Sequence, residues 1–193
     1  MAGIIAGRRG AAWIPVRLVI SIVVAAAIIA VVFLGLQQAN KTSAQSEIEQ
    51  ECDMLAATLS TMVASGDARN VDLPHDPRGD MRTVELSLPE DTSYLGLGVN
   101  PAVDGDGHLE DGLTGNGSCI FYRVDGMSER AIWDVGDIKF RQGRKIDGRW
   151  MLAQPQQGYV IRGGGKQVIT FELVHDSSGN RYVLVLAHDA VAM

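Results

Sequence analysis

The chain has 193 residues, 46% of them hydrophobic, with 17 Lys and Arg against 23 Asp and Glu for a formal net charge of −6. That content is enough for one well-packed domain, and the acidic balance argues against nucleic acid as a partner. The charge is unevenly spread: residues 1–41 hold four basic residues (Arg8, Arg9, Arg17, Lys41) and no acidic one, leaving 13 basic against 23 acidic residues, a net of −10, in the remainder.

The first element is the uncharged apolar run Leu18–Leu36. As a helix its 19 residues span roughly 28 Å, about the hydrocarbon thickness of a bilayer. This predicts a membrane anchor whose partner is membrane lipid. Arg8, Arg9 and Arg17 precede the run and Glu47, Glu49, Glu51 and Asp53 follow Lys41. The basic flank is therefore expected in the cytoplasm and the bulk of the chain outside it, as a single-pass protein of the cell membrane. Three forms of anchor fit: a cleaved secretory signal, an uncleaved signal anchor, and a leader cut on the cytoplasmic side of the apolar run.

No Pro or Gly occurs between Leu36 and Gly66, and Ser43–Val63 is rich in Ala, Glu, Gln, Leu and Met, all good helix formers. Ile48, Cys52, Leu55, Leu59 and Met62 recur at steps of four and three, which puts them on one narrow helical stripe for packing. One helix is expected from about residue 12 to residue 64. The stripe then packs either on the chain's own globular part or in a short coiled coil.

The Arg8-Arg9-Gly10 junction, the following Ala11-Ala12-Trp13-Ile14-Pro15-Val16, the run Leu18–Leu36 and the amphipathic extension resemble the archaeal type IV pilin-like proteins, mainly over residues 1–64. The resemblance implies leader processing by a peptidase at Arg8, Arg9, Gly10 and Ala11, with the cut after Gly10. It also implies association with other pilin-like subunits through the N-terminal helix. Arg17 fits best at the cytoplasmic boundary, where its long side chain can snorkel; that favours a minor or membrane-resident member over a major filament subunit. The division expected is a basic leader over 1–10, a transmembrane helix with its amphipathic extension over 11–64, and an extracytoplasmic β-rich domain over 65–193.

In that last segment Met81–Leu88 alternates apolar and polar residues, as a half-buried strand does. Further strands are expected at Tyr94–Val99, Cys119–Val124, Asp137–Arg141, Arg149–Ala153 and Tyr159–Arg162. Asp125-Gly126, Gln142-Gly143 and Asp147-Gly148 supply turns, and Gly163-Gly164-Gly165-Lys166 a hairpin connection. Gln167–Val174 and Arg181–His188 form a hairpin around the polar segment 175–180. Both its strands are apolar at nearly every position, which predicts a central place in a sheet covered on both faces. The fold class expected is α+β: a long N-terminal transmembrane-plus-amphipathic helix packed on an antiparallel β-rich sandwich or meander.

Outside the cytoplasm Cys52 and Cys119 suit a disulfide tying helix to strand; the alternative is a pair of buried free thiols. Asn40-Lys41-Thr42 and Asn116-Gly117-Ser118 match the N-glycosylation pattern. Asp104-Gly105-Asp106 opens like a calcium loop, but Leu109 and Gly115 stand where the pattern needs Gly and Glu. His75, His108, His175 and His188 lack zinc spacing, and no HExxH, CxxC or GxSxG occurs. The role expected is structural, without catalysis, cofactor or metal. The competing reading is an uncleaved signal-anchored β-domain that binds a ligand or an envelope partner.

Overall fold

The computed structural model describes residues 13–73, 75–101, 117–133, 138–153 and 156–186. Helix α1 runs over Trp13–Ser65. The chain divides into two compact units, residues 1–42 and 43–193.

In the first unit the described chain is helical throughout. From Val16 to Leu36 the fourteen Val, Leu, Ile and Phe side chains are each 52–69% exposed, on every face of the helix. Ser21, the one hydroxyl in that stretch, donates to the Arg17 carbonyl at 2.9 Å, so its polar group is satisfied within the helix.

The second unit begins with the amphipathic part of α1. Ala44, Ile48, Cys52, Leu55, Leu59 and Met62 are buried, while Glu47, Glu49, Asp53 and Thr58 are exposed. The helix ends where Gly66 donates to the Met62 carbonyl at 2.8 Å. A Cβ at Gly66 would lie 2.4 Å from that carbonyl oxygen, so only glycine makes this exit.

Among the described residues ten strands follow: β1 (Arg69–Asn70), β2 (Met81–Leu88), β3 (Thr92–Leu97), β4 (Cys119–Val124), β5 (Arg130–Trp133), β6 (Phe140–Ile146), β7 (Arg149–Leu152), β8 (Tyr159–Arg162), β9 (Gly165–His175) and β10 (Arg181–Leu186). The larger sheet has the order β1-β9-β10-β6-β7, with β2 also paired to β9; the smaller is β5-β4-β3-β8. The fold class is α+β. The C-terminal hairpin β9–β10 pairs antiparallel from Thr170↔Leu186 to Arg181↔His175 and lies inside the larger sheet.

Three local expectations are corrected. The larger sheet is mixed, not antiparallel throughout, because β1 runs parallel to β9 and β10 parallel to β6. Gln142-Gly143 is not a turn but lies within β6. A Cβ on Gly143 would sit 3.0 Å from the Val185 carbonyl oxygen, so glycine here permits the close approach of β10. The Gly163-Gly164 segment is not a hairpin connection: β8 and β9 belong to different sheets, and the glycines carry the chain between them. A Cβ at Gly164 would fall 2.0 Å from the Pro89 carbonyl oxygen, on the segment where β2 crosses over to β3. Asp147-Gly148 does form the β6–β7 turn, with φ of 49° and 80°, the positive values a tight hairpin demands.

One core joins the helix stripe to both sheets. It contains Leu86 and Leu88 of β2, Leu95 and Leu97 of β3, Ile120, Tyr122 and Val124 of β4, and the Phe171–Leu173 and Val183–Val185 alternates of β9 and β10. Leu55→Ala and Leu59→Ala each remove a fully buried side chain and are expected to cost about 2–5 kcal/mol. Met54→Ala, on a side chain 56% exposed, should change stability by less than about 0.5 kcal/mol. Urea unfolding of the three variants followed by circular dichroism checks the contrast.

Candidate functional site

Among the described residues, most of the exposed large apolar side chains lie on α1 from Val16 to Leu36. It is the one helix, among the described residues, long and apolar enough to cross a membrane, and it lies near the N-terminus. Fourteen large apolar side chains in water would be strongly unfavourable, and lipid or apolar helices relieve that cost. This segment is a candidate membrane span.

The remaining sequence-derived positions are scattered. Arg8, Arg9, Gly10 and Ala11 lie outside the described residues, as do Asn116 and nearly all of the acidic loop 104–117. Asn40 is exposed and helical. Cys52 and Cys119 are both buried, and both are free thiols, so the expected disulfide is not formed. Strand alternation explains it. Ile120, Tyr122 and Val124 face the core that contains Cys52, whereas Cys119 and Phe121 turn to the opposite face and pack with Tyr94. Burial pushes the Cys52 thiol from 9.0 to about 12, with Asp53, Glu51 and Glu49 adding to it, and pushes Cys119 to about 11.

A second polar centre was not foreseen. Arg69 of β1 and Glu172 of β9 are 4% and 3% exposed. The Arg69 Nε donates to Glu172 Oε1 at 2.7 Å and Nη2 to Oε2 at 3.0 Å, a bidentate pair. Nη2 also donates to the Trp150 carbonyl at 2.7 Å, and the Gly79 N–H donates to Glu172 Oε1 at 3.2 Å. β1, β7, β9 and the segment before β2 thus meet at one ion pair. The third nitrogen, Arg69 Nη1, is buried without a hydrogen-bond partner. The lining of a cavity of about 90 Å³ includes Arg69, Asp76, Arg78, Arg149, Trp150 and Glu172. Asp76 Oδ2 accepts the Asn70 N–H at 2.5 Å, and Arg149 donates to the Leu73 carbonyl at 3.1 Å. The available signal in the sequence is Glu172, the lone charge inside the apolar run Val168–Val174; its partner stands 103 residues away and nothing local names it.

A helix able to span a bilayer together with a two-sheet α+β unit defines the class: a β-rich protein with a candidate N-terminal membrane anchor. The chain belongs to the family described as Domain of unknown function (DUF7311), whose family model matches residues 15–188 and so takes in both the apolar helix and the β-rich unit. No curated protein and no solved structure matches the chain.

Removing one member of the ion pair strands a buried charge. Glu172→Gln and Arg69→Met should each lower stability by about 3–5 kcal/mol, and Arg69→Met with Glu172→Leu together should recover most of that loss, as a double-mutant cycle will show. The thiols set an alkaline limit. A group whose pKa is raised by folding contributes its full stability below its unfolded value and loses it as pH climbs toward the folded one. The stability advantage of wild type over Cys52→Ala should therefore be constant below pH about 9 and shrink by on the order of 2 kcal/mol by pH 11, read as urea midpoints across that range.

Proposed function

We propose that this protein is a pilin-like structural and assembly subunit of the archaeal cell surface, anchored by a single N-terminal span. The leader at Arg8-Arg9-Gly10 is cut before Ala11, the N-terminus faces the cytoplasm, and the β-rich domain stands outside. The observation that supports this reading most is the two-part pattern of α1. Its side chains from Val16 to Leu36 are exposed on all faces, as a surface meant for lipid or for neighbouring helices requires, and from Ala44 to Met62 only one face is buried. The charge division across the span supports the orientation: four basic and no acidic residues over 1–41, and a net of −10 beyond them. The role is mechanical and associative, with helix–helix contact as the means of assembly and the β-rich surface as the part presented to partners.

Intact-mass measurement of the protein extracted from its native membrane tests this directly. The expected result is a chain beginning at Ala11, with the same mass before and after reduction because both thiols are free. A chain that retains residues 1–10 would overturn the pilin-like reading in favour of a static signal anchor carrying a ligand- or partner-binding β-domain.

A further inference from the structure

Outside the candidate span, the exposed large apolar side chains among the described residues are Met54, Leu73, Ile146 and Val168. Two of them sit in charged surroundings of opposite sign. Ile146 is at the tip of the β6–β7 hairpin. β10 pairs with β6 only over Phe140–Gln142, and the register from Gly143↔Leu152 to Ile146↔Arg149 is formed within the hairpin itself, so the tip extends past the strand beside it. Arg144 and Ile146, two residues apart on one strand, share a face; both are exposed, as is Lys145 between them. Residues 144–149 hold three basic residues and one acidic, within a segment beyond residue 41 whose net charge is −10.

Met54 is on α1. Glu47, Glu51 and Met54 follow at i, i+4 and i+7, which aligns them on one flank of the helix beside the buried stripe. Glu47 is exposed, Glu51 half-buried and Met54 56% exposed. The two patches match in spacing as well as in charge. Side chains two apart on a strand and three or four apart on a helix are both separated by about 6 Å, so Arg144 can meet the Glu47 and Glu51 carboxylates while Ile146 covers Met54. Met54 and Ile146 both keep their exposure within one chain, so neither covers the other there.

We propose that the β6–β7 tip of one copy docks on the Glu47–Glu51–Met54 flank of α1 in a second copy of this chain, with Arg144 and Lys145 against the two carboxylates and Ile146 on Met54. The inference rests on the assembly role proposed above and adds a contact made by the β-rich domain. Each docked pair leaves one tip and one flank unused at its ends, so the contact is heterologous and repeats into an open row. A hairpin tip on one helix flank is small for an interface that stands alone. Copies held in one membrane by their N-terminal helices meet at high effective concentration, which makes a small contact sufficient. Opposite charges set its register, because a wrong approach puts like charges together.

Met54→Cys and Ile146→Cys variants of the full-length protein test the contact. The two are produced in the same cells, and the isolated membranes are treated with a short bismaleimide near neutral pH. Cys52 and Cys119 are buried, with thiols pushed up to about 12 and about 11, so the wild type should stay unlinked. The expected result is a covalent dimer from the mixture, little from either variant alone, and a ladder of multiples from the double variant. Arg144→Glu should lower the linked fraction at least about tenfold, and Glu51→Arg in the same chain should restore most of it. The proposal is overturned by the absence of mixed dimer, by an equal yield of dimer from Ile146→Cys alone, by a link within one chain in the double variant, or by a charge swap that restores nothing; these results leave the tip to a lipid surface, a like-with-like contact or another partner. Intact mass on the same membranes separates two failures. A chain that begins at Ala11 and gives no mixed dimer removes the docking contact alone, and one that retains residues 1–10 and gives none removes the assembly role with it.

Discussion

The buried stripe of α1 is the constraint around which the β-rich unit is arranged. Ile48, Leu55, Leu59 and Met62 are completely buried and share one core with the inner faces of both sheets. A two-sheet unit of this size has little apolar surface to spare, and a helix that fills its interior supplies contacts that loops cannot. The crossings between sheets obey the same demand. β2 leaves the larger sheet for the smaller at Pro89, and β8 returns to it through Gly163 and Gly164, packed against the Pro89 carbonyl. Both turns are tight because both sheets must close on the one core.

The Arg69–Glu172 pair works on the opposite face of the larger sheet. There Val71, Val174, Tyr182, Leu184 and Leu186 form a second, smaller cluster, and the ion pair links β1, β7 and β9 beside it. A buried pair of this kind is weak evidence for net stability but strong evidence for register, since only one alignment satisfies both partners. β1 has two residues and could not hold its parallel place on β9 by backbone bonds alone. The same pair leaves Arg69 Nη1 buried without a hydrogen-bond partner, so the clamp is not fully satisfied within the sheet.

The two parts of α1 carry different side-chain patterns within one continuous helix. Between Val16 and Leu36 apolar residues occupy every face, the mark of a segment meant for an apolar medium. From Ala44 onward the buried apolar residues fall back to a single stripe, and Ala, Ser, Thr, Gln and four acidic residues make up most of the rest.

Local periodicity determines what was readable without a structure. The uncharged run Leu18–Leu36, the four-and-three spacing from Ile48 to Met62, the alternation of Met81–Leu88 and the apolar pair of strands at the C-terminus each encode their element within a few residues, because helix and strand geometry repeat over that distance. Pairing over long separations does not. Whether β10 meets β6 in parallel depends on how segments dozens of residues apart align, and so does the difference between Gln142-Gly143 as a turn and as the middle of a strand. A shift of one residue in β4 would turn Cys119 toward the core that holds Cys52; the observed register turns it away, and the two thiols stay apart. The meeting of Arg69 and Glu172 across 103 residues likewise arises only once the sheet is assembled.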